Sequence, residues 1–531
     1  MRARLNSFYE KHWWFLPFFS ALLLTLSFYP FDFWFLGFIA LVPLFYFVNF
    51  SAKISLSKIF RGGFIVGAIF SLFLSFFTLI QFHWLPETYL FVWLVRLSPL
   101  LIAIMSGLVV GSALAGYKKL ALNRLIDIFT LASFSVLIEI IDSKIFFGFN
   151  NGLLAYITHH LPFIMALSAI IGVIGVSFIV NLTNAFIAFF IWRPDYGKKI
   201  IFSGLISLTI LFLINFLNQY YLNGGESDYL SKKFAIVQNA DRQNIFGSFQ
   251  NSQFSFPKAE YLINSAVSSK ADFIIYPFSL INGYLADDLS KVENEGLKRA
   301  IVGDEKGLGE WIAEQTTDSQ LIFINWINVV RGDKLYPEML FWQNEKQISY
   351  YQKRKLFPFM DYTPEIFKKI GLFTTSVDAF ASPSSGGLAV EMPNNDVRFG
   401  PMICSEIFKS EISRRDAFYS NVFISIGSEA MFGNEIPGKW NLIVSQFVAA
   451  ANNRPLVRAN ILGGSALISD KGKLIKHSGF NKTGVLVGEI KYKKSPKNTL
   501  YSYFGDLPFI FIILIFLSSI ICLKLFKPRK H

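Results

Sequence analysis

The chain has 531 residues, 53% of them hydrophobic and only 16% charged, with 59 phenylalanines, which is far too apolar for an ordinary water-soluble protein. Two cysteines cannot build a disulfide framework. The net charge of +13 invites a nucleic-acid partner, but Lys and Arg stand in short clusters between apolar runs, as in the cytoplasmic loops of membrane proteins, so no nucleic acid is expected.

Apolar segments of span length lie at roughly 12–29, 32–50, 60–83, 90–116, 125–143, 163–192 and 200–219, with an eighth at 507–523. A hydrocarbon core of about 30 Å needs about twenty helical residues, so a multi-span α-helical membrane domain of about eight helices is expected. The fifth segment is the least apolar, since it carries Asp127, Glu139 and Asp142. Positive charges collect at the N-terminus (Arg2, Arg4, Lys11), in alternate loops (Lys53, Lys58, Arg61; Lys118, Lys119, Arg124; Arg193, Lys198, Lys199) and in the tail (Lys524, Lys527, Arg529, Lys530). With eight spans these loops share one side, which the positive-inside rule makes cytoplasmic. Residues 1–222 then form a membrane domain of seven transmembrane helices. Residues 501–531 add the last helix and a basic cytoplasmic tail. The stretch 223–500 lies on the opposite face, the periplasm in a bacterial inner membrane. Within the loops, the adjacent pair His159-His160 has no third ligand nearby in sequence, so these are read as loop residues and no metal site is expected.

From Phe234 the pattern changes. Phe234-Ala-Ile-Val-Gln238, Asp272-Phe-Ile-Ile-Tyr276, Leu321-Ile-Phe-Ile-Asn325 and Val422-Phe-Ile-Ser-Ile426 are apolar runs of strand length, separated by amphipathic pieces at 257–269 and 442–452. Strands apolar on both faces, with helices between, predict an α/β extramembrane domain. Asn223-Gly-Gly-Glu-Ser-Asp228 is the expected hinge before it.

Three stretches of this region carry candidate chemistry. Val397-Arg-Phe-Gly-Pro-Met-Ile-Cys404-Ser-Glu406 reads as a buried strand that stops at a cysteine, a place where α/β proteins expose a nucleophile. Tyr351-Gln-Lys353-Arg-Lys-Leu-Phe-Pro358-Phe359-Met-Asp361 supplies a lysine and a carboxylate, and a solvated basic face of Lys353, Arg354 and Lys355 is its plainer reading. Asp272-Phe-Ile-Ile-Tyr-Pro277-Phe278 ends the third. In this order the three stretches resemble the nitrilase superfamily. On a multi-span base they are similar to its membrane-anchored family, the apolipoprotein N-acyltransferases.

That resemblance implies an α-β-β-α sandwich and a Glu, Lys and Cys triad on different strand ends. Cys404 matches the nucleophile, Lys353 the triad lysine, Glu406 the acid after the cysteine and Asp361 a second essential carboxylate. Phe278 stands where the family has the triad glutamate, and a phenylalanine accepts no proton. Glu406, Asp361 or Glu429 would then have to serve as base. Downstream, Gly427-Ser428-Glu429-Ala-Met431-Phe432-Gly433 departs from the family segment, whereas Arg454, Pro455, Arg458, Gly463 and Ser465 are kept. The implied reaction moves a fatty acyl chain from a phospholipid donor, through a Cys404 thioester, to the amine of a diacylglyceryl lipoprotein acceptor. A monomer working at the membrane, with no cofactor, is expected. Two rivals stay open: a catalytically inactive relative that binds lipids or lipoproteins, and a membrane-tethered amidase.

Overall fold

A computed structural model describes residues 11–50, 54–79, 90–122, 124–145, 152–223, 229–238, 257–277, 284–315, 321–358, 361–369, 389–393, 395–429 and 434–525. Phe278, most of the expected hinge, and Met431 to Gly433 lie outside them. The chain divides into two compact units, one of residues 1–80, 95–224 and 503–531, the other of 81–94 and 225–502.

The first unit is helical: α1 (Phe15–Ser27), α2 (Val42–Phe50), α3 (Leu56–Leu79), α4 (Leu90–Leu120), α5 (Ile126–Ile145), α6 (Ser168–Trp192) and α7 (Gly197–Asn223), closed by the terminal helix Leu507–Leu525. Among the described residues, five helices are long and apolar enough to cross a membrane, namely α3, α4, α6, α7 and the terminal helix. The segments expected at 12–29 and 32–50 are shorter here. Pro30 and Asp32 close α1 after 13 residues, and a five-residue 3-10 turn, Trp34–Phe38, precedes the nine-residue α2. The segment expected at 125–143 is α5, with Asp127, Glu139 and Asp142 within it. A small-residue seam joins α3 and α4. A Cβ built on Gly63 would sit 2.8 Å from the Gly111 Cα, and one on Gly67 would sit 2.7 Å from the Ser106 carbonyl oxygen. Glycines four apart on each helix therefore let two backbones meet, which is the packing that replaces the hydrophobic effect inside lipid.

The second unit is built on two sheets. Its strands in chain order are β1 (Tyr229–Gln238), β2 (Phe273–Tyr276), β3 (Tyr284–Ala286), β4 (Ile301–Asp304), β5 (Ile322–Arg331), β6 (Lys334–Gln343), β7 (Lys346–Gln352), β8 (Val390–Glu391), β9 (Arg398–Ile403), β10 (Val422–Ser428), β11 (Leu456–Ile461), β12 (Ala466–Ile468), β13 (Leu474–His477) and β14 (Gly484–Lys493). One sheet runs β14-β1-β2-β5-β3-β4, with β6 on the other edge of β5 and β7 beside β6; the second runs β13-β12-β11-β10-β9-β8. Alternation along each strand divides the apolar residues between two layers. Phe234, Ile236, Phe273, Ile275, Ile322 and Ile324 face Phe399, Ile403, Ile424 and Ile426 of the other sheet. Ala235, Val237, Ile274 and Phe323 turn outward onto α8 (Pro257–Ser268) and α9 (Glu305–Gln315) through Leu262, Ile263, Leu308 and Ile312. The second sheet is covered by α10 (Ser410–Asp416) and α11 (Ile436–Asn452), completing an α-β-β-α sandwich. This double covering is why the strands read as unbroken apolar runs.

Two local signals fix the frame. The β5–β6 connection is the two-residue turn Gly332-Asp333 with Gly332 at φ +58°, the left-handed position that a tight hairpin requires. Helix α11 starts with Pro437 in its first turn and stops at Asn453, which is left-handed at φ +54° ahead of Pro455. β9, β10 and β11 are parallel, so their carboxyl ends open on the same edge, and the carboxyl end of β9 carries the cysteine.

Candidate active site

Cys404 follows β9 directly and begins the 3-10 turn Cys404–Phe408. Its φ is +54°, a left-handed conformation that costs a β-carbon-bearing residue on the order of 1–3 kcal/mol and is held only where surrounding contacts enforce it. Those contacts come from Glu406, which is fully buried. Its Oε2 accepts the Ile403 amide at 2.8 Å and the Tyr351 hydroxyl at 2.8 Å. Its Oε1 accepts the Arg354 and Lys355 amides at 2.8 and 3.0 Å. Burial pushes its carboxyl above the ordinary range, against the pull of the Ile403 amide, Lys353 and Tyr351. Four donors fill the acceptor positions of a carboxylate. Glu406 is thus a fastener between the cysteine turn and the lysine segment.

Replacing Glu406 by alanine would strand these buried donors, and the loss should reach about 3–5 kcal/mol. It would be read as a lowered unfolding midpoint of the full-length protein in detergent; a midpoint equal to wild type would refute the fastener role.

Lys353 leaves β7 by one residue, its amide bound to the Pro337 carbonyl at 2.9 Å, and its side chain is 1% exposed. Its ammonium lies 2.6 Å from Asp361 Oδ2, which also accepts the Phe357 amide at 2.6 Å. Burial pulls the lysine pKa down, but Asp361 and the nearby Cys404 outweigh it and hold the ammonium above its usual value. Arg354 is buried as well. It makes paired bonds to Asp416 at 3.0 and 2.6 Å and donates to the Tyr351 hydroxyl at 3.0 Å. A solvated basic face is therefore incorrect for Lys353 and Arg354, and only Lys355 is exposed. The reason lies in the pairing: Asp361 and Asp416 supply the countercharges that let both cations be buried.

The half-buried Cys404 thiol is the focus of this charge. Burial pushes its pKa up, Lys353 pulls it down, and Asp361 and Glu429 push it up again. Glu429 follows β10, whose Ile426 pairs with Ile403, so that Gly427 comes alongside Cys404. A Cβ on Gly427 would lie 3.6 Å from the Cys404 Cα. Glu429 Oε1 accepts from Asn441 at 2.8 Å and from Arg458 at 2.6 Å. Its Oε2 is buried and has no hydrogen-bond partner among the described residues. Gly463 is required beside it, because a Cβ there would collide with that oxygen. The glycine kept in the sequence is explained by Glu429.

Among the residues expected at the site, the structure thus joins Cys404, Lys353, Asp361 and Glu406 in one electrostatic cluster and adds Glu429 to it. Phe278, two residues past the end of β2, is outside the described residues. In the sequence Tyr351 is only the start of the lysine stretch and nothing signals Asn441; the roles of both arise from pairing between distant segments. Arg454 is structural: its guanidinium donates to the carbonyls of Ser420, Asn452, Asn453, Lys497 and Ala417.

Two family profiles match the chain in succession. The apolipoprotein N-acyltransferase N-terminal domain matches residues 20–186, and the carbon-nitrogen hydrolase domain matches residues 235–495. Curated relatives include the apolipoprotein N-acyltransferases of Haemophilus ducreyi, 26% identical over 82% of this chain and 83% of that protein, and of Pasteurella multocida, 24% identical over 97% of both. The protein of the same name from Rickettsia bellii is 24% identical over 72% of this chain and 74% of that one.

Proposed function

The chain belongs to the apolipoprotein N-acyltransferase family of the carbon–nitrogen hydrolase superfamily, and from that premise we propose that it N-acylates lipoproteins through a thioester on Cys404. The observation that carries the reading is the Cys404 thiol held in a left-handed turn beside a buried lysine whose ammonium form Asp361 favours. Such a pair can attack a carbonyl and neutralise the oxyanion that results.

The Cys404 sulfur attacks the ester carbonyl of a phospholipid. Its proton passes to a base and on to the departing alkoxide, so a lysophospholipid leaves and a thioester remains. The N-terminal amine of a diacylglyceryl-cysteine then attacks the thioester. An amide bond forms, the carbon–sulfur bond breaks, and the amine proton returns to sulfur. Lys353 stabilises the oxyanion of both tetrahedral intermediates, and Asp361 keeps Lys353 charged and aimed. Glu406 holds the cysteine turn and the lysine segment in register.

Glu429 is the base in this scheme. Phe278 accepts no proton, Glu406 is saturated by four donors, and Asp361 Oδ2 is occupied by Lys353 and the Phe357 amide. Glu429 keeps one buried carboxylate oxygen without a partner among the described residues, and its charge acts on the thiol. A general base of this kind contributes on the order of 10²–10⁴ in rate.

The placement follows from the sequence. Five membrane-length helices support a membrane protein, and the alternation of basic loops in the sequence supports the proposed orientation, with N- and C-termini cytoplasmic and residues 223–500 in the periplasm. The proposed substrates, a phospholipid and a lipid-anchored protein, require a site at the membrane.

The experiment is intact mass spectrometry of the full-length protein after incubation with phospholipid, followed by addition of a diacylglyceryl-cysteinyl peptide. A fatty-acyl adduct that hydroxylamine removes, that Cys404→Ala lacks and that the peptide discharges is the expected result. Phe278 favours one rival, a lipid-binding relative without turnover. No adduct, under conditions where a relative with a complete triad acylates, would establish that rival instead.

A further inference from the structure

The pair His159-His160 has no third ligand in its own stretch of sequence, but the fold supplies one. Asp32 lies in the turn after α1 and is itself left-handed at φ +56°. Its Oδ2 is 3.1 Å from His160 Nε2, and its Oδ1 is 4.0 Å from His159 Nε2. One ligand atom from each of the three residues lies within 4.8 Å of the others. The second ring nitrogen of His159 completes the pattern. Nδ1 is 2.8 Å from the Tyr156 carbonyl oxygen, which only accepts, so Nδ1 carries the proton and Nε2 presents its lone pair towards Asp32. A backbone carbonyl on the far nitrogen is the usual support of a metal-binding imidazole.

The arrangement is held from behind. The histidines end the 3-10 segment Leu154–His160, whose residues from Leu154 to Thr158 are buried. The Ala155 amide donates to Ser177 Oγ at 2.9 Å, and the Thr158 hydroxyl bonds the Ala155 carbonyl at 2.7 Å. Ile157 packs so closely on Gly37 that a Cβ there would collide with it, and this locks the segment against the turn Trp34–Phe38 that follows Asp32. The two imidazole rings lie 3.8 Å apart, and the His159 side chain is 7% exposed, against 27% for Asp32 and 40% for His160. The cluster is thus recessed on one side and open on the other.

We infer that Asp32, His159 and His160 form a site for one divalent transition-metal cation of zinc's chemistry, with its remaining position left to water. Two neutral imidazoles and a carboxylate suit zinc, and three protein ligands with an open fourth position are a common tetrahedral set. Bonds of about 2.0–2.2 Å place tetrahedral ligand atoms about 3.3 Å apart, so a separation at the 4.8 Å limit need close by about 1.5 Å. The cation would tie the turn after α1 to the segment before α6. The inference concerns the helical unit and stands independently of the acyl-transfer reading.

The test uses full-length protein in detergent, stripped with a chelator and titrated with zinc chloride by calorimetry. Wild type should bind one equivalent, and Asp32→Asn, His159→Phe and His160→Ala should each weaken that binding at least about tenfold, the usual effect of disturbing a metal site. Absence of one-equivalent binding in wild type, or a loss of less than about tenfold in every variant, would overturn the site. Should the variants fold poorly, cobalt chloride added to the stripped wild-type protein gives a separate reading. Visible bands of a tetrahedral nitrogen-and-oxygen cobalt site are expected, and an octahedral aquo-type spectrum would overturn it.

Discussion

A Lys353→Met enzyme is expected to form the Cys404 acyl adduct about 10²–10³-fold more slowly than wild type, and the slowing should have two separable parts. The first is loss of the charge that meets the oxyanion. The second is a rise in the Cys404 pKa, since Lys353, more than the Ser405 backbone, pulls the thiol down against burial and against Asp361 and Glu429. Only the thiolate attacks, so raising pH should recover the second part and leave the first. The substitution also leaves Asp361 without its partner at 2.6 Å, and removing one member of a buried pair typically destabilises by about 3–5 kcal/mol. Lys353→Met/Asp361→Asn removes both charges and should regain much of that stability without regaining rate. Titrating the thiol by alkylation rate, alongside adduct mass and unfolding midpoint, checks all three statements. An adduct rate within about tenfold of wild type in the single variant would remove Lys353 from the mechanism.

Glu429→Gln makes the second large prediction, and its value is that two roles for this residue predict opposite signs. Glu429 raises the Cys404 pKa, so the neutral glutamine should lower it and increase the thiolate fraction at neutral pH. If the carboxylate were only a local charge, the variant would acylate as fast as wild type or faster. If it is the base, acylation should fall by about 10²–10⁴ even though more thiolate is present. Glutamine keeps an acceptor for Arg458 and Asn441, so the hydrogen bonds at 2.6 and 2.8 Å have a replacement and the fold should survive. Introducing Phe278→Glu into the Glu429→Gln background places a carboxylate at the family's own base position and should restore rate. A variant with a lowered thiol pKa and an undiminished rate would show that Glu429 perturbs the cysteine without serving it.

These variants probe groups that the sequence exposed to different degrees. Cys404 is legible because an apolar run breaks at a cysteine before a carboxylate, and Lys353 because its surrounding stretch has a family likeness. The paired apolar strands are legible because both faces of each sheet are covered, which leaves an unbroken hydrophobic run as its record. Long membrane helices are legible from composition for the same kind of reason: lipid demands a continuous apolar surface. Where Pro30, Asp32 and Gly37 interrupt the first apolar stretch, composition still suggests two full spans, while the backbone forms the shorter helices α1 and α2.

What the sequence alone determined about this protein is which segments are buried and where a cysteine leaves a strand, because those depend on neighbours along the chain. Which carboxylate has acceptor capacity to spare was decided by the tertiary structure. Glu406 looks like a reactive acid two residues after the cysteine, yet amides from Ile403, Arg354 and Lys355 and the Tyr351 hydroxyl occupy it. Glu429 looks like an ordinary loop acid, yet one of its oxygens is buried without a partner among the described residues, beside the cysteine strand. Asp32 stands 128 residues from His160 and still meets it at 3.1 Å. Hydrogen-bond saturation and charge proximity are set by strand register and helix packing between distant segments, and local periodicity carries no record of them.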